Sequence, residues 1–182
     1  MLVIALLIAG GTAYVISRGE TGGGGAGAGG DGAGGTEVEL VSAGDYDPEG
    51  DGEEHPEEAP FAIDEDTAAS AWTSETYLSP TFDPKSGVGL WVDAGEPVNA
   101  SSMEILSPTP NWTLEVYGAN DPIPEQLADW TSLALVPQVS QRQRVELITA
   151  GEQYQYYLLW ATNPAETDDG FGVAISDVKL FD

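Results

Sequence analysis

The chain contains no cysteine. Disulfides and thiolate zinc sites are therefore excluded, and cysteine usage says nothing about redox compartment. A single histidine, His55, leaves no His-rich metal cluster and only one possible base for a nucleophilic serine. Basic residues are nearly as scarce: five Lys and Arg stand against 31 Asp and Glu, a formal net charge of -26. No basic footprint exists to neutralise phosphates, which excludes nucleic acid as a partner. The same imbalance opposes docking on anionic lipid or anionic wall polymer unless divalent cations bridge the two. It also suits a protein bathed in high salt, where screening removes self-repulsion. Most enzyme templates lose their parts here. Carboxylate pairs of the glycosidase kind arise by chance on so acidic a chain, and a non-enzyme is expected.

What the 182 residues do hold is enough apolar material for one domain: 41% hydrophobic, with five Trp and seven Tyr. It is unevenly spread. Residues 1–17 (MLVIALLIAGGTAYVIS) carry no charged side chain and are followed by Arg18. At helical rise they span about 26 Å, the short end of what crosses a bilayer. A cleaved signal peptide is the rival reading, but no basic residue precedes the apolar run and no clear small-x-small site follows it. Residues 1–18 are read as one transmembrane anchor. Arg18 alone would put the following side in the cytoplasm. A span that starts at the initiator Met without a basic flank looks instead like the tail of a longer protein, and the large C-terminal part is expected outside the cell. Residues 19–36 are a Gly-rich flexible linker with a reach of roughly 20–25 Å.

From residue 37 to 182 the pattern is of short strands and frequent breaks. EVELV (37–41) alternates at period two, and VGLWVD (88–93) ends in Ala94-Gly95. ASSMEIL (100–106) stops at Ser107-Pro108, and WTLEVYG (112–118) sets Trp112, Leu114 and Val116 on one face. Residues 130–136, 143–148, 154–161 and 172–181 complete the set, and only 124–130 hints at a helical turn. Seven or eight such strands between Gly, Pro and Asn-Asp turns predict an all-β antiparallel sandwich or jelly roll.

AIDEDTAASAWT (62–73), GVGLWVDAG (87–95), TPNWTLEVYGA (109–119), YYLLWAT (156–162) and AISDVKLF (174–181) together resemble a discoidin-like, galactose-binding-like jelly roll. With DPEGDGEE (47–54) they look like the C-terminal extracytoplasmic domain of bacterial lipid II flippases of the virulence-factor type. Similar domains end some membrane-anchored serine/threonine kinases and pseudokinases. The family-like loop reads A-x-D-G-D-x-x-T-x-W. This chain has Glu65 in place of Gly and one more residue before Ser70 and Trp72, so the assignment of Asp64, Glu65 and Asp66 stays open.

Two acidic loops compete for a cation. Asp45, Asp47, Glu49, Gly50, Asp51 and Glu53 copy the alternating ligands of an EF-hand, but Pro56 occupies the closing position and helical flanks are absent. That loop is read as a decorated, solvated one, with His55 a plain loop residue. The resemblance implies a structural Ca²⁺ at the second loop, with Asp64, Asp66, Ser70 and Asp177 as ligands; a solvated acidic loop is the alternative. Aromatic side chains are the other candidates, since sugar rings stack on exposed Trp and Tyr. Trp72, Trp112 and Trp160 are assigned to the core, which leaves Trp91, Tyr77 and Trp130 for ligand contact.

The expectation is a membrane-tethered, extracytoplasmic, non-enzymatic binding module. Its partner would be a carbohydrate or cell-wall component such as peptidoglycan, or another envelope protein. By resemblance it would be an accessory to lipid II transport or to a wall-sensing kinase or pseudokinase. A structural or protein-interaction module without glycan affinity is the alternative, and the negative charge favours it.

Overall fold

The computed structural model describes residues 35–182. The expected anchor, 1–18, and all but the end of the linker, 19–36, lie outside the described residues. No helix among the described residues is long and apolar enough to cross a membrane.

The strands run in the order β1 (Glu37–Val38), β2 (Ser42–Tyr46), β3 (Trp72–Thr73), β4 (Val88–Val98), β5 (Ser102–Leu106), β6 (Thr113–Ala119), β7 (Thr131–Val136), β8 (Arg142–Glu146), β9 (Tyr154–Asn163), β10 (Ala165–Thr167), β11 (Gly170–Gly172), β12 (Ala174–Ile175) and β13 (Asp177–Phe181). Short 3-10 turns occupy Ala59–Ile63 and Leu127–Asp129. A five-stranded sheet, β2-β4-β9-β6-β7, packs on a four-stranded one, β1-β13-β5-β8. All their pairings are antiparallel. The protein is an all-β antiparallel sandwich, the class that alternation in the sequence predicts.

Alternation explains why these segments pair. In β6, Leu114 and Val116 are fully buried while Thr113, Glu115 and Tyr117 are half-buried on the other side. They meet Leu90 and Val92 of β4, and from the opposite sheet Met103, Ile105, Val178 and Leu180, in one core. Trp72 and Trp112 are in that core, each 1% exposed. Each such ring removes roughly 150–250 Å² from water, about 4–6 kcal/mol by area as an upper bound.

Strand β9 breaks the alternation because it is covered on both faces. Tyr157, Leu159 and Ala161 enter the main core, whereas Tyr156, Leu158 and Trp160 face the other way. There they form a second cluster with Tyr46, Ala119 and Trp130. Residues 120–130 fold back over the sheet to make it. The Tyr46 hydroxyl donates to the Pro124 carbonyl (3.0 Å) and accepts from the Trp130 indole N–H (3.1 Å). Trp160 is thus buried as expected, but in the second cluster.

One predicted strand is cut short and another divides. Of residues 37–41 only Glu37–Val38 form a strand, β1, paired with β13 in one sheet; β2, which follows at Ser42–Tyr46 and was not expected, pairs with β4 in the other. The chain crosses between the sheets at 39–41. Likewise 172–181 breaks at Ser176, whose N–H donates to the Leu106 carbonyl, so that β12 pairs with β3 and β13 with β5.

Register fixes what lies at each end of the sandwich. Val88 pairs with Ala161, and Leu114 with Ala161, so the loops before β4 and β6 and after β9 share one end. The loop after β2 joins them there, because Tyr46 pairs with Gly89. The first and last strands meet through Glu37 and Phe181, beside Ser102, at the opposite end.

Candidate functional site

The acidic loop after β2 is built into the protein, which corrects its reading as a solvated decoration. Asp47 and Glu54 are 4% and 0% exposed. Between them sits the Lys85 ammonium, 3.0 Å from Asp47 Oδ2 and 2.8 Å from Glu54 Oε1. It also donates to the Tyr77 hydroxyl (3.0 Å), which in turn donates to Glu54 Oε1. Glu54 further accepts from the Glu75 backbone N–H (2.7 Å), and its carbonyl from the Trp72 indole (2.7 Å). The EF-hand-like pattern therefore closes around a cation that the chain itself supplies.

Gly50 matters here through close approach: a Cβ on it would lie 2.0 Å from Asp47 Oδ2 and 2.7 Å from Lys85 Nζ. Burial alone would lower the Lys85 pKa, but the hydrogen bonds to Glu54, Tyr77 and Asp47 outweigh it and hold it above the ordinary lysine range. Burial and the bond to Glu54 push Tyr77 above the usual phenol range. Asp47 Oδ1 is buried without a hydrogen-bond partner among the described residues.

This node aims the next residue. His55 follows Glu54 with φ 54°, in the left-handed region, and its side chain is 40% exposed. Its Nδ1 lies 3.0 Å from the Thr73 carbonyl oxygen and 3.1 Å from Thr73 Oγ1. A carbonyl only accepts, so Nδ1 is the donor here, with Glu58 Oε2 3.8 Å away, and Nε2 is the ring nitrogen not engaged by Thr73. The ring lines a cleft of about 200 Å³ at the loop end of the sandwich, with Glu75, Thr109, Thr167 and half-buried Phe171. A neighbouring groove shares Thr167 and adds Asn111, Glu166 and Asp168. The hairpin β10–β11 carries Phe171, held by paired backbone hydrogen bonds to Tyr77 at 2.8 Å. The cleft therefore combines a half-buried aromatic ring, four threonines and a histidine ring.

The residues singled out from sequence lie elsewhere. Trp130 is 6% exposed beneath residues 120–130 and contacts Tyr46, which removes it as a ligand platform. Tyr77 is half-buried, its ring edge-on to Phe82 and its hydroxyl taken by the Lys85 node. Trp91 is half-buried over Gly44, where a Cβ would lie 2.4 Å from the indole, and packs edge-on to Tyr156 at 5.9 Å. It belongs to the second cluster on the outer sheet face.

Among the four expected calcium ligands, Asp64, Asp66 and Ser70 share one loop. Ser70 donates to Asp64 Oδ2 (2.8 Å), and the Asp66 N–H to Asp64 Oδ1 (2.8 Å). Asp177 is buried at the start of β13, and of that loop Glu65 and Thr67 share a groove with it. Burial raises the Asp177 pKa against the opposing pull of Lys179, helped by Glu37, Glu104 and Glu65. Among the described residues no group of three or more His, Cys, Asp or Glu side chains is gathered to hold a metal. The four residues as they stand do not form a ready cation cage.

The residues missed were Lys85, Glu54, His55 and Phe171. One of only two Lys in so acidic a chain was the available signal for the first two, and an aromatic after the Asp168-Asp169-Gly170 turn for the last.

Solved structures share this fold. A chitosan-binding module of a Paenibacillus sp. IK-5 chitosanase/glucanase superposes with a TM-score of 0.59 at 13% identity, covering 81% of this chain and 99% of that one. The CBM32 module of AlyQ, solved with 4,5-unsaturated mannuronic acid, gives 0.56 at 12% identity over 80% and 98%. A second Paenibacillus module, solved with chitotriose, gives 0.55 at 13% over 80% and 98%. No protein-family model and no curated protein sequence matches the chain. The likeness is one of fold: the chain shares the β-sandwich of these carbohydrate-binding modules. It does not extend to the flippase and kinase resemblance.

Proposed function

We propose that the domain is a non-catalytic carbohydrate-binding module whose glycan site is the loop-end cleft between His55 and Phe171. The observation that carries this is the cleft's composition. A sugar needs an apolar ring face to stack on and polar groups at its hydroxyls. Phe171 supplies the first; His55 Nε2, Thr109 and Thr167 supply the second. The Lys85 node holds His55 and Glu75 in place before a ligand arrives, which limits the ordering that binding requires. The fold neighbours are modules of the same shape, one solved with chitotriose and one with an unsaturated mannuronic acid.

The finer reading comes from the sequence. Residues 1–18 would anchor the module and 19–36 would tether it outside the cell. There it would recognise cell-wall glycan as an accessory to lipid II transport or to a wall-sensing kinase or pseudokinase. A structural Ca²⁺ at Asp64, Asp66, Ser70 and Asp177 belongs to the same proposal and would need the loop to close toward β13.

Calorimetry with a panel of oligosaccharides tests the site. Binding should be lost in Phe171→Ala and in His55→Ala and kept in Trp91→Ala. No heat with any glycan would leave the envelope protein-interaction reading in its place.

A further inference from the structure

Building on the carbohydrate-binding reading, we infer that the loop-end cleft takes a glycan bearing free amines, and rejects uronic-acid chains. The inference starts from where the positive charges are. Of the four Lys and Arg among the described residues, Lys85 is enclosed by Asp47 and Glu54. Arg142 and Lys179 line a groove on the four-stranded sheet and pair with Glu104 and Glu37 at 3.0 Å. Arg144 donates to Ser102 and lies over the Phe181 ring on the same sheet. None of them lines the cleft or its neighbouring groove.

Carboxylates border them instead. Glu75 borders the cleft, Glu166 and Asp168 border the groove, and all three side chains are exposed. His55 borders the cleft beside them, its Nδ1 turned to Thr73. A uronate would enter this field with no cation to meet it, and like charges at such distances repel. An ammonium meets complementary charge. N-acetylation of the same sugar removes that charge and leaves its shape otherwise similar. Exposed pairs are individually weak, so about three of them together correspond to roughly a tenfold preference for the amine.

The protein carries a net charge of -26, and any polyamine will be drawn to it. The experiment must therefore separate the cleft from the surface. Calorimetry on the full chain at near-physiological salt would compare chitosan oligomers, N-acetylated chitin oligomers of equal length and oligogalacturonates. The amine-bearing oligomer should bind about tenfold tighter than its acetylated counterpart, with no uronate binding. The variant Glu75→Gln/Glu166→Gln/Asp168→Asn should erase that preference. Neutralising Glu96, Asp121 and Glu152, exposed at the opposite end of the sandwich, should leave it intact. Equal binding of amine and acetyl oligomers would overturn the inference while the carbohydrate reading stands. Loss of the preference in the far-end variant would overturn it as well, as would tight uronate binding. Absence of heat with every oligomer would overturn both.

Discussion

Replacing Lys85 by Met should be among the most damaging single changes in this domain. Two attractions operate at the node, at 3.0 and 2.8 Å. At an effective dielectric constant near 20 each amounts to about 5–6 kcal/mol. Desolvating three ions opposes this by several kcal/mol apiece, so the intact node makes a modest net contribution. Removing the cation leaves that desolvation in place with nothing to offset it, because Asp47 and Glu54 stay buried and repel each other. Loss of one partner from a buried ion pair costs about 3–5 kcal/mol. For a domain of this size that is a fall in Tm of roughly 6–20 °C. Thermal melts followed by tryptophan fluorescence would measure it, since Trp72 bonds directly to the Glu54 carbonyl. The triple variant Lys85→Met/Asp47→Asn/Glu54→Gln, which removes the charges together, should recover most of the loss. A single variant melting within about 2 °C of the parent, or a triple variant no better than the single, would refute the electrostatic account of the loop.

Other expectations are smaller. Glu65 has φ 64°, where the family-like loop has Gly, so Glu65→Gly should stabilise by about 0.5–1 kcal/mol while Glu65→Ala does not; denaturant melts decide it. Asp177 has a folded pKa raised by burial, so its contribution is present below the ordinary carboxylate range and lost as pH rises. Asp177→Asn should therefore raise Tm at neutral pH in chelator, and should abolish any rise in Tm given by millimolar Ca²⁺ in the parent; a lower Tm in chelator would contradict this. Tyr157, fully buried, is pushed up to about 12, chiefly by burial. Its contribution of about 2–3 kcal/mol at most is whole below pH ~10 and lost as pH rises through 12. Lys85 and Tyr77 are shifted upward too, so melting should hold steady to about pH 10 and fall beyond it. Trp91→Ala should lower stability by about 2 kcal/mol, as a half-buried ring lost from Gly44 and Tyr156.

The sandwich was legible because strand alternation is a local property: Leu114, Val116 and Trp112 declare their face within seven residues. What local pattern cannot carry is partnership at a distance. Where β1 stops and β2 starts depends on which sheet each joins. Trp130 is buried because residues 120–130 fold back onto Trp160 and Tyr46, a contact that spans 84 residues. The acidic loop shows the limit most clearly. Its sequence reads as a solvated loop, yet it closes around a cation, Lys85, 31 residues from Glu54 in sequence. This internal pairing also bears on the cleft. Because Lys85 is held within the loop and the other described Lys and Arg lie on the four-stranded sheet, the charged side chains of Lys, Arg, Asp and Glu around His55 and Phe171 are carboxylates alone among the described residues. The device that lets an acidic loop fold thereby sets the sign of charge that the cleft can receive.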